Sequence, residues 1–205
     1  MTANEKRQPP FDARAARNEV ERQLHRSVEV KLALLAEGGA AIIERMADAV
    51  VEALKGGRRF YLFGNGGSAA DAQHIAGELV GRFMKERGAL PVLAFTTDTS
   101  VLTAVSNDYG FENCFVRQVE AFVGKADVVL AISTSGESPN VVKAAELARK
   151  KGAKVLALSG RGGGKLKDVA DICLVVPADE SPRIQEVHIT VGHILCGLVE
   201  KRPFG

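Results

Sequence analysis

Cysteine is scarce in this chain, with three residues in 205, at Cys114, Cys173 and Cys196. An odd, widely spaced set argues against a disulfide framework or a cysteine metal knuckle, and reads as free buried thiols in a cytoplasmic protein. Long apolar runs are missing too. Stretches such as Val128–Ile132 are far too short to cross a bilayer. The start, Met1 to Pro10, is polar and holds no apolar signal core. Nor is there an excess of charge of one sign: 27 basic against 25 acidic residues give a net +2. That balance offers no electrostatic case for nucleic acid or a membrane surface as partner. No internal repeat or low-complexity tract stands out. What is present, 46% hydrophobic and 25% charged residues, is ordinary for a globular protein whose length fits one domain with an appended helical arm.

In chain order, residues 1–10 are expected to form a disordered lead-in. Residues 11–57 read as two helices. Val20, Leu24, Val28, Leu32 and Leu35 make one apolar stripe, broken at Gly38-Gly39. Ala41, Ile42, Met46, Ala49, Val50 and Leu54 make another, ended by Gly56-Gly57. The first stripe must be buried against the body or against another subunit, and the second outcome is the expectation. Beyond residue 58, strands are expected at Phe60–Phe63, Pro91–Phe95, Val128–Ile132, Lys154–Leu158 and Ile172–Val175. Helices are expected at Ser68–Phe83, within Thr99–Phe122, at Pro139–Lys151, Lys165–Ala170 and Ser181–Glu200. This alternation, with strands apolar on both faces, predicts an α/β three-layer sandwich around a five-stranded parallel sheet.

Two loops then fall at the carboxyl edge of that sheet, where such folds bind ligands. The first, Gly64-Asn65-Gly66-Gly67-Ser68, joins the first strand to a helix, with the Ser68 hydroxyl as the expected cap. It fits neither the dinucleotide fingerprint nor a nucleotide P-loop. A tight turn without ligand is the plain alternative, yet the free N–H groups of a helix start suit an anion. The second, Ser133-Thr134-Ser135 with Ser138, gathers four hydroxyls where a cap needs one, and so suits phosphate oxygens or sugar hydroxyls. On the helix after the first loop, His74, Glu78 and Arg82 recur every fourth residue and should share a face. An ordinary surface pair is the alternative for His74 and Glu78. However, two of the four histidines, His188 and His193, lie on the last helix near Gln185. A His/Glu pair from one helix with Gln185 and a histidine from the other makes a candidate divalent site of the Zn²⁺ type, and spacing alone leaves both histidines open. His25 reads as a surface residue. The Asn107-Asp108-Tyr109-Gly110 segment reads as a turn that offers an amide and a carboxylate.

The runs GNGGSAADAQHIAGELVGRF, TTDTSVLTAVSNDYGFE, AISTSGESPNVVKAAELA and RIQEVHITVGHILC resemble the sugar isomerase (SIS) domain family, over nearly the whole chain up to Glu200. Within it they are similar to the branch that isomerises phosphorylated heptoses. The resemblance implies a flavodoxin-like sheet at 58–205 and a homotetramer built through the helices of 11–57, with sites at subunit interfaces. It implies aldose–ketose isomerisation of D-sedoheptulose 7-phosphate to D-glycero-D-manno-heptose 7-phosphate through an enediol, with Glu78 and His193 as acid and base. Substrate would be held by Asn65, Gly66, Gly67, Ser68, Glu78, Asn107, Asp108, Ser133, Thr134, Ser135, Ser138 and Gln185, with Arg82 near the site. One zinc per subunit would be held by His74, Glu78, Gln185 and His193, a choice of His193 over His188 that rests on the resemblance. Pro182 departs from relatives that carry Asp there. The rival readings are a non-catalytic SIS protein that binds the replication initiator DnaA, whose kind lacks the acid and base, and an isomerase of another sugar phosphate. A SIS transcriptional regulator fits less well, because residues 1–58 hold no basic helix-turn-helix pattern.

Overall fold

The computed structural model describes residues 12–202, so the lead-in expected at 1–10 lies outside the described residues. Two helices, α1 (Ala13–Ala36) and α2 (Gly39–Lys55), precede an alternating body. The body runs β1 (Phe60–Gly64), α3 (Gly67–Val80), β2 (Val92–Ala94), α4 (Thr99–Tyr109), a 3₁₀ turn (Phe111–Asn113) and α5 (Val116–Phe122). It continues through β3 (Val128–Ser133), α6 (Pro139–Lys150), β4 (Lys154–Ser159), α7 (Gly164–Val169), β5 (Ile172–Val175) and α8 (Ser181–Glu200). All five expected strands are present, each bounded within a residue of its expected end. The helical stretch expected within Thr99–Phe122 is divided at Gly110 into α4, the 3₁₀ turn and α5.

The strands pair in parallel in the order β2-β1-β3-β4-β5, with Phe60 opposite both Val92 and Val128. That is the flavodoxin-like order. Side chains alternate across the sheet, and both faces are covered. Phe60, Leu62, Leu130 and Ile132 pack with α2, α3 and α8. Tyr61, Phe63, Val129 and Ala131 pack with α5, α6 and α7, where the Tyr61 ring stacks on Phe95 at 5.0 Å between centroids. Burial on both faces is why these strands read as unbroken apolar runs instead of an alternating pattern. Because the chain leaves β1 toward β2 and returns to start β3 on the other side, a crevice opens between the carboxyl ends of β1 and β3.

The arm has two faces. On α2, Met46, Val50 and Leu54 are buried as expected, joined by Ile43 and Ala47, while Ala41 faces out. On α1, Val30 and Leu34 are buried, and Arg183 donates to the Gln23 carbonyl at 2.6 Å, tying α1 to α8. The Val20, Leu24, Val28, Leu32 and Leu35 stripe instead stays 55–64% exposed, so the body of this chain does not cover it. No helix among the described residues is long and apolar enough to cross a membrane. The three cysteines are free, with Cys114 and Cys196 buried.

At the amino-terminal edge of the sheet, Asp127 joins two strand entries. Its carboxylate accepts from Arg59 N–H at 2.9 Å and from Gly124 N–H at 2.7 Å, and the residue is buried. Replacing Asp127 by Ala leaves two sheltered N–H groups unmet, so we expect a loss of about 2 kcal/mol. The midpoint of chemical denaturation measures this. A midpoint unchanged from the parent protein would mean that water replaces both bonds.

Candidate active site

At the end of β1 the chain turns sharply at Gly66, whose φ of +53° is a conformation that L side chains rarely adopt. The helix begins at Gly67 with Gly66 at its N-cap, and no side chain caps it. The expected role of Ser68 is corrected here. It sits inside the first turn, buried, and its own N–H bonds to the Asn65 carbonyl. Glycines at the cap and first position provide no side-chain acceptor, so no side chain caps the Gly66 and Gly67 N–H groups at the start of α3, an arrangement suited to an anion.

The serine loop lies across the crevice. Ser133 Oγ and Ser138 Oγ are 3.0 Å apart, the Gly136 N–H donates to Ser133 Oγ at 3.2 Å, and the Glu137 N–H donates to Ser135 Oγ at 3.2 Å. Thr134 and Ser135 are half-buried on the same loop, and Pro139 at the first turn of α6 fixes the helix entry. A Cβ at Gly136 would collide with the Gly163 carbonyl, so this loop is pressed against the β4–α7 loop. The two ligand loops are joined directly. Asn65 and Asn140 exchange two side-chain hydrogen bonds of 2.8 Å, and Asn140 is buried.

Beyond the glycine turn, α3 and α8 bring three donors together. His74 Nε2 lies 2.8 Å from His193 Nε2 and 3.3 Å from Glu78 Oε1. The three ligand atoms all fall within 4.8 Å of one another. Two imidazole nitrogens and a carboxylate oxygen in that space fit a divalent ion of the zinc type. Phe83 stacks on His193, with centroids 5.9 Å apart.

His188 is elsewhere. It is fully buried, with Nε2 3.1 Å from the Ser159 carbonyl oxygen, and burial pushes its imidazole down to about 4. The geometry therefore puts His193, not His188, beside His74 and Glu78. Gln185 packs its carboxamide against Gly67 at the glycine turn. It precedes His193 by eight residues, about 12 Å of helix rise. Pro182 occupies the first turn of α8, where its ring is tolerated.

Two expectations fail. Arg82 does not share a face with His74 and Glu78, because α3 stops at Val80 and Gly81 turns the chain away. Arg82 is exposed, its Nε 3.9 Å from Glu86. Asn107 and Asp108 belong to the last turn of α4, not to a loop, and are exposed there with an Asn107 Nδ2 to Asp108 Oδ1 bond of 2.8 Å. Beside them, a cleft of about 420 Å³ runs from Asn65 and Gly66 to Thr96, Thr103 and Ser106. Sequence reasoning missed Asn140, whose signal is its place directly after Ser138-Pro139 at a helix start. It also missed Asp71, whose carboxyl burial pushes up to about 6 against the pull of His74, and whose Oδ2 is buried without a partner.

Comparison with known proteins agrees with this fold. The SIS domain family model matches residues 24–160. A phosphoheptose isomerase of Citrifermentans bemidjiense is 54% identical over 186 residues, 91% of this chain and 96% of the relative. One from Aquifex aeolicus is 53% identical over 182 residues, 89% and 95% of the two chains. The solved phosphoheptose isomerase GmhA of Neisseria gonorrhoeae superposes with a TM-score of 0.85 at 37% identity, covering 91% of this chain and all 100% of that one. A Francisella tularensis phosphoheptose isomerase gives 0.88 at 36% identity, covering 91% and 99%.

The Gly67–Gln185 contact generates a test. A Cβ on Gly67 meets only the flexible end of Gln185, which can swing aside. Gly67→Ala is therefore expected to change stability by less than about 1 kcal/mol, because only a mobile side chain must give way. Ligand affinity should fall about tenfold as Gln185 leaves the turn, measured by calorimetric titration with a sugar phosphate. Unaltered affinity would remove Gln185 from the binding surface.

Proposed function

The chain belongs to the SIS domain family, and on that premise we propose that it is a phosphoheptose isomerase, converting D-sedoheptulose 7-phosphate to D-glycero-D-manno-heptose 7-phosphate for heptose-containing glycans such as lipopolysaccharide core. The observation that carries the reading is the convergence of His74, Glu78 and His193 beside a crevice edged by the glycine turn and the serine loop. A binding protein needs the two loops but has no use for an acid and a base held within reach of each other. That, with relatives at 54% identity named phosphoheptose isomerase, disfavours the DnaA-binding reading.

In this mechanism the uncapped amides at Gly66 and Gly67 and the hydroxyls of Ser68, Ser133, Thr134, Ser135 and Ser138 hold the phosphate and orient the chain of hydroxyls. Asn65 through its main chain, with Asn107, Asp108 and Gln185, completes the contacts. Fixing both ends of a flexible sugar supplies much of the rate by orientation. The Glu78 carboxylate accepts the C1 proton, the C1–H electron pair becomes the C1=C2 bond, and His193 gives a proton to the C2 carbonyl oxygen. The enediol then loses its O1 proton and gains one at C2, which leaves the aldose. His74, Glu78 and His193 would hold the zinc, which when bound would supply Lewis-acid stabilisation of charge on the sugar oxygens, and Gln185, the fourth ligand that the resemblance implies, would have to move its carboxamide from Gly67 to join them. The exposed stripe of α1 supports the homotetramer, since five apolar side chains along one helix need a cover that the described residues do not provide. A cytoplasmic location goes with the reduced cysteines.

Purified protein should turn over sedoheptulose 7-phosphate, lose that activity on chelation and regain it with zinc. Turnover indifferent to metal would keep the isomerase and remove zinc from it. Absence of turnover, followed by turnover of another sugar phosphate, would move the substrate. Capture of DnaA without any turnover would favour the binding protein. Glu78→Gln should lower kcat by about 10³-fold, the range expected for loss of a positioned base. Its oligomeric state by light scattering should match the parent, and dissociation would instead make Glu78 structural.

A further inference from the structure

Glu200 is the last residue of α8, and its position runs against local electrostatics. The carbonyl end of a helix carries partial negative charge and disfavours a carboxylate. Its side chain is nevertheless only 2% exposed. The reason lies in the segment after α3. Oε1 accepts from Phe83 N–H at 3.0 Å, and Oε2 accepts from Met84 N–H at 2.7 Å and Lys85 N–H at 2.8 Å. Three consecutive amides thus converge on one carboxylate. Arg87 closes the arrangement. Its Nε stands 3.5 Å from Glu200 Oε1, while its other nitrogens donate to the carbonyls of Glu78 at 2.9 Å, Gly81 at 3.2 Å and Gly88 at 2.9 Å.

The residue clamped first is Phe83, and its ring lies nearly parallel to His193, at 20°. The Nε2 edge of His193 meets His74 Nε2 at 2.8 Å, with the two rings at 73°. The imidazole therefore contacts both a ring set by the 81–88 segment and a ring set by α3. Glu200 lies seven residues after His193, two turns down the same face of α8. It is linked to His193 through Phe83, and to the Glu78 main chain through Arg87.

We infer that Glu200 and Phe83 are positioning residues for His193: the buried carboxylate locks the segment after α3, and the locked Phe83 ring fixes the plane of the imidazole. The inference rests on the isomerase reading for its kinetic consequence and on geometry alone for the orientation.

Glu200→Gln keeps the volume, but its amide presents N–H donors to amides that need an acceptor. It is expected to lower kcat about tenfold with KM within twofold, because misorientation of a reacting group acts on the chemical step. Phe83→Ala should do the same, Phe83→Tyr should keep the parent kcat, and Glu200→Gln with Phe83→Ala should be no worse than either alone, as residues acting through one path are not additive. The His193 ring resonance in histidine-labelled protein should move in Glu200→Gln and Phe83→Ala and stay in place in Phe83→Tyr. Should Glu200→Gln fail to fold, the two Phe83 variants decide the matter. A lowered melting temperature with parental kcat and an unmoved His193 signal would make the clamp merely structural and overturn the inference, as would full additivity. Should the parent protein turn over no heptose phosphate, the isomerase reading falls, and the His193 resonance still decides the positioning.

Discussion

Across the crevice between β1 and β3, the carboxamides of Asn65 and Asn140 exchange two hydrogen bonds of 2.8 Å. Asn140 is buried, its Oδ1 also accepts the Val141 N–H at 3.0 Å, and its Nδ2 stands 3.4 Å from Cys114 Sγ. A buried carboxamide with both of its polar atoms engaged is a stiff link, because releasing either partner leaves a desolvated donor or acceptor behind. The glycine turn and the serine loop arrive from strands separated by more than sixty residues of chain. This pair fixes the distance between them. It also commits the Asn65 carboxamide to the protein, so that the turn offers a ligand chiefly its main chain.

The remaining stiffness comes from close backbone approach. The Gly136 carbonyl accepts from Leu166 N–H at 3.0 Å, and the absence of a Cβ there lets the serine loop rest on the β4–α7 loop. Hydroxyls on such a loop are already oriented in the absence of a ligand, and a loop of this kind loses less order when it binds one. The parallel sheet beneath sets both loops at one edge, since every strand ends its run there.

One helix carries the other half of the site. Along α8, Gln185 touches the glycine turn, His188 anchors the helix to the end of β4, His193 joins the donors of α3, and Glu200 secures the segment after α3. The same element therefore contacts four different parts of the structure at successive turns. Its buried face, with Ile184, Val187, Val191 and Leu195, rests against the sheet and α2, and so a shift of α8 would disturb all four contacts together.

How much of this was legible in the chain follows from the range of the interactions. Strand runs and the two polar loops are local patterns, and they located the sheet edge and the crevice. The His74–Glu78 pair is likewise local, a single helical turn. Arg82 was misread because a period of four persists on paper after Gly81 has ended the helix. Ser68 was misread because a hydroxyl near a helix start resembles a cap even where a glycine fills the cap position. Asn107 and Asp108 looked like turn residues, yet the Asp98 carboxylate caps α4 by accepting the Val101 N–H at 3.0 Å and carries that helix through both of them. Asn140 and Glu200 depend on partners 75 and over 100 residues away, and no periodicity encodes such a pairing. The loops and side chains proposed to meet a ligand lie in short motifs, whereas the parts that hold those motifs in place are contacts between distant segments, and only folding brings them into view.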